Sequence, residues 1–330
     1  VVDPVDAGLP LGPGAQGEAV RDVQRRLVAL GYGVDDVTGG TYGPLTEVAV
    51  TAFQQSRRLR VDGICGPDTW GALVEAGYRL GDRFIYLANP MLRGDDVSEL
   101  QSSLGALGFD AGRVDGICGP DTSDALREFQ RNSGLTADGI CGPDTVSALR
   151  RLAGRRAGPT SVAQAREVMA LLDAPRQLGE RRIILGVPGT LDALADRVQQ
   201  LLSDAGAVVT VLHAADGSAQ AREANDLAAE LYVGLRLVPE PACRVAFYAT
   251  EGFESVGGRR LAELSAKDLG TVLDQEGESA GMRLPVLRET KMPAVVCTLG
   301  PVDEAVIKAA DLAASLARSI TEWVEHRLDT

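Results

Sequence analysis

The chain has 330 residues, enough for two or three domains that each bury a core of their own. Its 46 acids against 33 bases give a net charge of -13, a field that repels a nucleic-acid backbone, and the basic runs at 57–60 and 150–156 are too short to reverse it. No apolar run reaches the roughly 18 residues that a bilayer span needs, so no membrane span is expected.

Residues 1–13 hold two acids, no base and no apolar stretch, and do not read as a signal peptide. Five cysteines, an odd number without Cys-x-x-Cys spacing, fit a reducing compartment. Both features point to the cytoplasm. The chain begins with Val1 and not with Met, so removal of a signal peptide would place it in the cell wall instead.

The first half is a repeat. The string Val61-Asp-Gly-Ile-Cys-Gly-Pro-Asp-Thr69 returns at 114–122 and, with one change, at 137–145, and a worn copy lies at Gly40–Thr46. The spacing from Tyr42 to Cys65 equals that from Cys118 to Cys141, 23 residues, and the two pairs lie 76 residues apart. A unit with two turn-plus-helix signals has therefore been duplicated. Asp-Gly supplies a tight turn, Cys or Tyr plugs a small core, Pro opens a helix and the following Asp or Thr is placed to cap it. Val20, Val23, Leu27 and Leu30, like Val97, Leu100, Leu104 and Leu107, follow helical spacing. Two further helices end in Phe53-Gln54 and Phe129-Gln130, so each unit is a small three-helix body. Cys65, Cys118 and Cys141 read as small buried hydrophobes.

The second copy carries Gly94, Val97, Leu100-Gln101, Leu107-Gly108, Asp115-Gly116, Gly119-Pro120, Thr122, Phe129-Gln130 and Asp138-Gly139. The first carries Gly17, Val23-Gln24, Leu30-Gly31, Phe53-Gln54, Asp62-Gly63 and Gly66-Pro67, but lacks Asp-Gly before Tyr42. This pattern resembles the PG_binding_1 peptidoglycan-binding domain. The resemblance implies binding of peptidoglycan fragments. Aromatic residues are only 4% of the chain, so stacking platforms for sugars are scarce, and the repeats read equally well as protein-binding modules. The expected organisation is a tail (1–12), repeat 1 (13–76), a connector (77–91), repeat 2 (92–153), a linker with a short helix at Ser161–Leu172 (154–180) and a last domain (181–328).

From Arg181 onward strands alternate with helices. Arg182–Val187, Val208–Leu212, Leu231–Val238, Arg244–Tyr248 and Ala294–Leu299 read as strands, and Leu191–Ala205 as an amphipathic helix. A long terminal helix opened by Pro301 would bury Val302, Val306, Ala309, Ala313, Leu316, Ile320 and Val324. The expected fold is an α/β domain with an open, mostly parallel sheet. Ile183–Gly189, Arg222-Glu-Ala-Asn225, Tyr232–Arg236, Met292–Val295 and Leu299-Gly300 resemble segments of the amidase_3 family, the zinc-dependent N-acetylmuramoyl-L-alanine amidases.

That resemblance implies two histidines and a glutamate on zinc, and a glutamate base. The first histidine falls on Thr190 (Gly189 if the alignment slips by one), the second on Arg236 and the base on Thr298; the segment with the ligand glutamate is deleted before Leu191. A fixed guanidinium at Arg236 would repel a cation. The only histidines, His213 and His326, have no partner cluster. No Gly-x-Ser-x-Gly elbow occurs, Gly257-Gly258 is not followed by the Lys-Ser/Thr of a phosphate loop, and Cys297 lies in an apolar strand. No metal, no cofactor and no catalysis are therefore expected. The order of repeats and last domain resembles a CwlM-type family of actinobacterial proteins. It implies a cytoplasmic regulator of peptidoglycan precursor synthesis that binds and activates a MurA-type enolpyruvyl transferase and is controlled by a Ser/Thr kinase, although Thr321 and Thr330 are the only threonines near the chain's end. The alternatives are a peptidoglycan-binding cell-wall protein and a residual amidase.

Overall fold

The computed structural model describes residues 8–35, 37–153, 162–179, 181–187, 192–214, 216–250 and 253–326, and the chain divides into two compact units, with the main boundary in sequence falling within the helix at 162–173. In the first unit, α1 (Glu18–Ala29), α2 (Pro44–Ser56) and α3 (Pro67–Glu75) form repeat 1, and α4 (Asp95–Ala106), α5 (Pro120–Asn132) and α6 (Pro143–Ala153) form repeat 2. Each repeat encloses its own core. The first gathers Val20, Val23, Leu27, Phe53, Cys65 and Trp70, and the second Leu100, Leu104, Cys118, Leu126, Phe129 and Cys141. A short extended segment closes each body: Leu11 bridges Cys65, and Ile85 bridges Cys141. Leu80 and Ile85 thereby pack into the core of repeat 2.

Pro stands at the first position of α2, α3 and α5, where its missing N–H costs nothing. The caps differ from the sequence expectation. Gly43, Gly66 and Gly119 are the N-cap residues and no side chain caps them. Thr46, Thr69 and Thr122 are buried and spend their hydroxyls elsewhere. Two residues of the basic runs are tied down: Arg57 pairs with Asp95 of the other repeat, and Arg150 donates to the Leu80 carbonyl at 2.8 Å.

The second unit holds most of α7 (Val162–Asp173), then β1 (Arg182–Gly186), α8 (Asp192–Asp204), β2 (Val208–Leu212), α9 (Gly217–Asp226), β3 (Leu231–Leu237), β4 (Ala242–Tyr248), α10 (Val256–Leu273), β5 (Glu278–Met282), α11 (Pro285–Glu289), β6 (Ala294–Gly300), α12 (Val302–Ile307) and α13 (Ala309–Glu325). The sheet order is β2-β1-β3-β6-β4-β5, and every pair is parallel except β4 with β6. Alternate residues Ile183, Leu185, Val233, Leu235, Val245, Val295 and Cys297 build one core with Val198, Leu261, Leu269, Leu316 and Ile320 of α8, α10 and α13. The terminal helix is two helices, broken at Lys308. Val302 and Val306 consequently face solvent, 41% and 60% exposed, whereas Ala313, Leu316, Ile320 and Val324 are buried as expected.

Candidate functional site

In the repeats, the paired motif residues meet inside the fold. Gln54 Nε2 donates to Asp62 Oδ1 (2.8 Å), the Ile64 carbonyl (3.0 Å) and Thr69 Oγ1 (3.0 Å), while its Oε1 accepts from the backbone N–H groups of Asp62 and Gly63. Gln101 repeats this with Asp115, Ile117, Thr122 and Gly116. Gln130 does so with Asp138, Ile140, Thr145 and Gly139. Each glutamine is a latch that satisfies both sides of an Asp-Gly turn whose glycine (Gly63, Gly116 or Gly139) has a positive φ. Gly66, Gly119, Pro67 and Pro120 open the helix that follows, and Phe53 and Phe129 are core residues beside the latches.

The worn copy has lost half of its latch. Gln24 Nε2 reaches the Thr41 carbonyl and Thr46 Oγ1, both at 3.0 Å, but its Oε1 is buried without a hydrogen-bond partner. Asp35 compensates from outside the motif, accepting from Thr46 N at 2.8 Å and Thr46 Oγ1 at 3.0 Å. The carboxyls of Asp35 and Asp138 sit below the ordinary aspartate value of 3.8, chiefly through the backbone N–H groups of Thr46 and Ile140 respectively. A depressed folded-state pKa stabilises the fold above the unfolded value, and that contribution is lost as pH falls through the folded one. Carboxyl titration by NMR is expected to place both midpoints under 3.8, with the turns loosening only below them. A midpoint at or above that value would contradict the latch geometry.

In the second unit, the chain runs outward from β1 to β2 and then returns to lay β3 on the other side of β1. In sheets of this kind ligands sit outside the carboxyl ends of the strands, where the order reverses. Arg236 stands at that end of β3, in direct register with Thr298 of β6, which is in turn in register with Arg244 of β4. Arg244 pairs with Glu278 of the edge strand β5, Nε to Oε2 at 2.7 Å. Sequence-aligned positions on two separate strands thus become neighbours on one sheet face. Thr190 lies outside the described residues.

Just below this row, Gly186 and Gly234 leave room that the buried Tyr232 ring fills. Its hydroxyl donates to Gln220 Oε1, and Gln220 Nε2 donates to the Ala214 carbonyl. Burial pushes the Tyr232 phenol well above its ordinary value, so it is a neutral plug. Zinc, which the amidase resemblance implies, does not fit the residues present: a guanidinium and a hydroxyl occupy the β3 and β6 positions. Among the described residues no three His, Cys, Asp or Glu side chains converge. Cys297 is fully buried, and that burial raises its thiol to about 12, which is a packing role.

Comparison with known proteins places these parts in a class. The family described as "Putative peptidoglycan binding domain" matches residues 16–73 and 93–149, the two latched bodies. The class is a modular one, peptidoglycan-binding-type repeats joined to an amidase-like α/β unit. N-acetylmuramoyl-L-alanine amidase CwlM of Mycobacterium tuberculosis is 31% identical over 357 residues, 95% of this chain and 88% of that protein. The chain belongs to the amidase family that CwlM represents. N-acetylmuramoyl-L-alanine amidase CwlL of Bacillus licheniformis is 36% identical over 155 residues, 39% of this chain and 42% of its own. Among solved structures, Ami1 of Mycobacterium abscessus aligns over 44% of this chain and 99% of its own, with 13% identity and a TM-score of 0.37.

The expectation that the chain is not an enzyme is corrected by these relatives, which carry the amidase name across nearly the whole length in one case. The chemistry of Arg236 and Thr298 makes those two side chains themselves poor zinc donors. It does not establish that the chain lacks activity.

Proposed function

We propose that this chain recognises peptidoglycan fragments through its two repeats. We further propose that it acts in the cytoplasm on precursor synthesis, by binding a MurA-type enolpyruvyl transferase. The likeness to CwlM along 95% of the chain carries the reading, because it spans repeats and amidase-like unit together. The three intact latches support it from the structure, since they hold the motif turns in one conformation. No helix among the described residues is long and apolar enough to cross a membrane.

The test uses the whole chain. It is mixed with purified muropeptides, with insoluble sacculi and with a purified MurA-type transferase, and amide hydrolysis is followed with zinc supplied. Retention of muropeptides together with co-elution and a faster transferase is the expected result. Retention on sacculi with no effect on the transferase would overturn the regulatory part and leave a wall-binding protein. Release of peptide from the glycan would make it a working amidase, and binding to none of the three would overturn the whole reading.

A further inference from the structure

We propose that Phe84 and Tyr86, on the extended segment that closes repeat 2, form a stacking platform for a neutral N-acetylated sugar ring of a glycan chain. Of the chain's six Phe, six Tyr and two Trp residues, only these two are exposed, at 58% and 45%; the others are buried or half-buried. Ile85 between them is fully buried and bridges Cys141, so the rings on either side of it share the outward face of the segment. Phe84 is seated on backbone, since a Cβ on Gly142 would come within 3.0 Å of its ring. Among the described residues neither ring packs on another ring or under a guanidinium.

Repeat 1 lacks the platform. Its closing segment has Leu11 where repeat 2 has Ile85, so Pro10 and Gly12 stand in the places of Phe84 and Tyr86. A Cβ on Gly66, the counterpart of Gly142, would meet nothing within 4 Å. From Ile85 to Leu92, which accepts from Cys118 N, is seven residues; from Leu11 to Ala15, which accepts from Tyr42 N, is four. The longer segment adds Leu87 and Met91, both exposed, and it lies ahead of residues 93–149, the part of repeat 2 that the peptidoglycan-binding family matches. Exposed rings on a fixed backbone offer a flat, electron-rich apolar face, the complement of the C–H face of a sugar. The exposed carboxylates of Asp82 and Asp144, two residues from Phe84 and Gly142 respectively, repel an anion and can accept hydrogen bonds from sugar hydroxyls. Together with the net charge of -13 they favour a neutral ring over a phosphate or an acidic peptide. The choice of a glycan rests on the peptidoglycan-binding reading above, and it places the sugar contact in repeat 2.

The experiment titrates the full chain with a disaccharide muropeptide and, separately, with peptide-free tetra-N-acetylchitotetraose, following amide and aromatic shifts by NMR. Saturable shifts at Phe84, Tyr86 and their neighbours are expected with both, because ring stacking needs no peptide. Phe84→Ala and Tyr86→Ala are each expected to weaken both ligands about five- to tenfold. Tyr86→Phe keeps the aromatic face and is expected to change affinity less than about twofold. Phe84→Leu and Tyr86→Leu keep the apolar bulk without the ring, and are expected to weaken binding as alanine does. Val48→Ala, on α2 of repeat 1 and 65% exposed, is expected to leave it unaltered. Full affinity in both leucine variants would make the segment an apolar docking surface for protein and overturn the proposal, as would an absence of shifts with the chitotetraose. Muropeptide binding undiminished in Phe84→Ala and Tyr86→Ala would overturn the platform and leave the function proposed above standing. Binding of neither ligand to the unaltered chain would overturn the muropeptide reading as well.

Discussion

Replacing Gln54 with leucine is expected to destabilise repeat 1 by about 3–5 kcal/mol, followed by Trp70 fluorescence during urea unfolding, while the same change at Gln24 costs about 1 kcal/mol or less. Gln54→Leu strands the Gly63 N–H and the Thr69 hydroxyl inside the fold, and each buried orphan costs about 1–3 kcal/mol. The turn also loses the link to Asp62, which ties its carboxylate to the Ile64 N–H as well. At Gln24 the account is different. Its Oε1 already lacks a partner, and leucine removes that penalty along with two bonds. Asp35 continues to hold Thr46. Equal losses at the two sites would show that the glutamines act by packing volume and not as latches. Trp70 is a suitable reporter because it is buried in the core of repeat 1, and the other tryptophan, Trp323, lies in the second unit.

The second large effect is expected at Asp96, where alanine should cost repeat 2 about 3–5 kcal/mol. The Asp96 carboxylate is 0% exposed and takes two bonds from Arg83, at 2.7 and 3.1 Å, and one from its neighbour Val97 N at 2.9 Å. Arg83 also donates to the Arg93 carbonyl at 2.6 Å and stacks 3.8 Å over the Tyr78 ring. Removal of the carboxylate leaves that guanidinium partly buried without its hydrogen-bonded counter-charge, with only the more distant field of Glu75, and the segment before α4 loses its tie to the helix. Hydrogen exchange at Leu100 and Leu104 should accelerate, with little change at Val23 and Leu27 in the separate core of repeat 1. A loss below about 1 kcal/mol would mean that water screens the pair as it does at a surface.

What the sequence revealed depended on how local each signal was. The 23- and 76-residue spacings located the repeats because duplication copies turns with their offsets intact. β1, β2 and β6 were readable as short runs rich in β-branched residues, and β3 as an apolar run. β5 was missed: Glu278-Ser-Ala-Gly-Met282 contains no β-branched or aromatic residue, and it holds its place by pairing with β4 at the sheet edge. α10 was missed too: Gly257, Gly258 and Gly270 lower its helix propensity. Its first turn is fixed locally by its N-cap, Ser255 Oγ accepting from the Gly258 N–H, and from a distance by Glu167 of α7. The break at Lys308 escaped a pattern that counts apolar residues without asking what faces them. The glutamine latches left a signal that was available, since a Gln stands 8 residues before Asp62 and before Asp138. In the middle of the sheet, aligned motifs named Arg236 and Thr298, but only the strand order could show that Thr298 adjoins Arg244.

The docking of α7 has a consequence for anyone cutting this protein into pieces. A cut at residue 181, where the strand pattern begins, discards Glu167 and Leu171. Glu167 accepts from the Ser255 hydroxyl at 2.6 Å and from the Val256 and Gly257 N–H groups, and Leu171 lies against Gly257. The shortened fragment would carry an uncovered apolar spot and two N–H groups without Glu167 at the start of its longest helix, inviting self-association in place of clean folding. Limited proteolysis would find the same boundary from the other side: once the chain is nicked ahead of Val162, α7 should stay with the sheet, and the C-terminal fragment that survives should begin there.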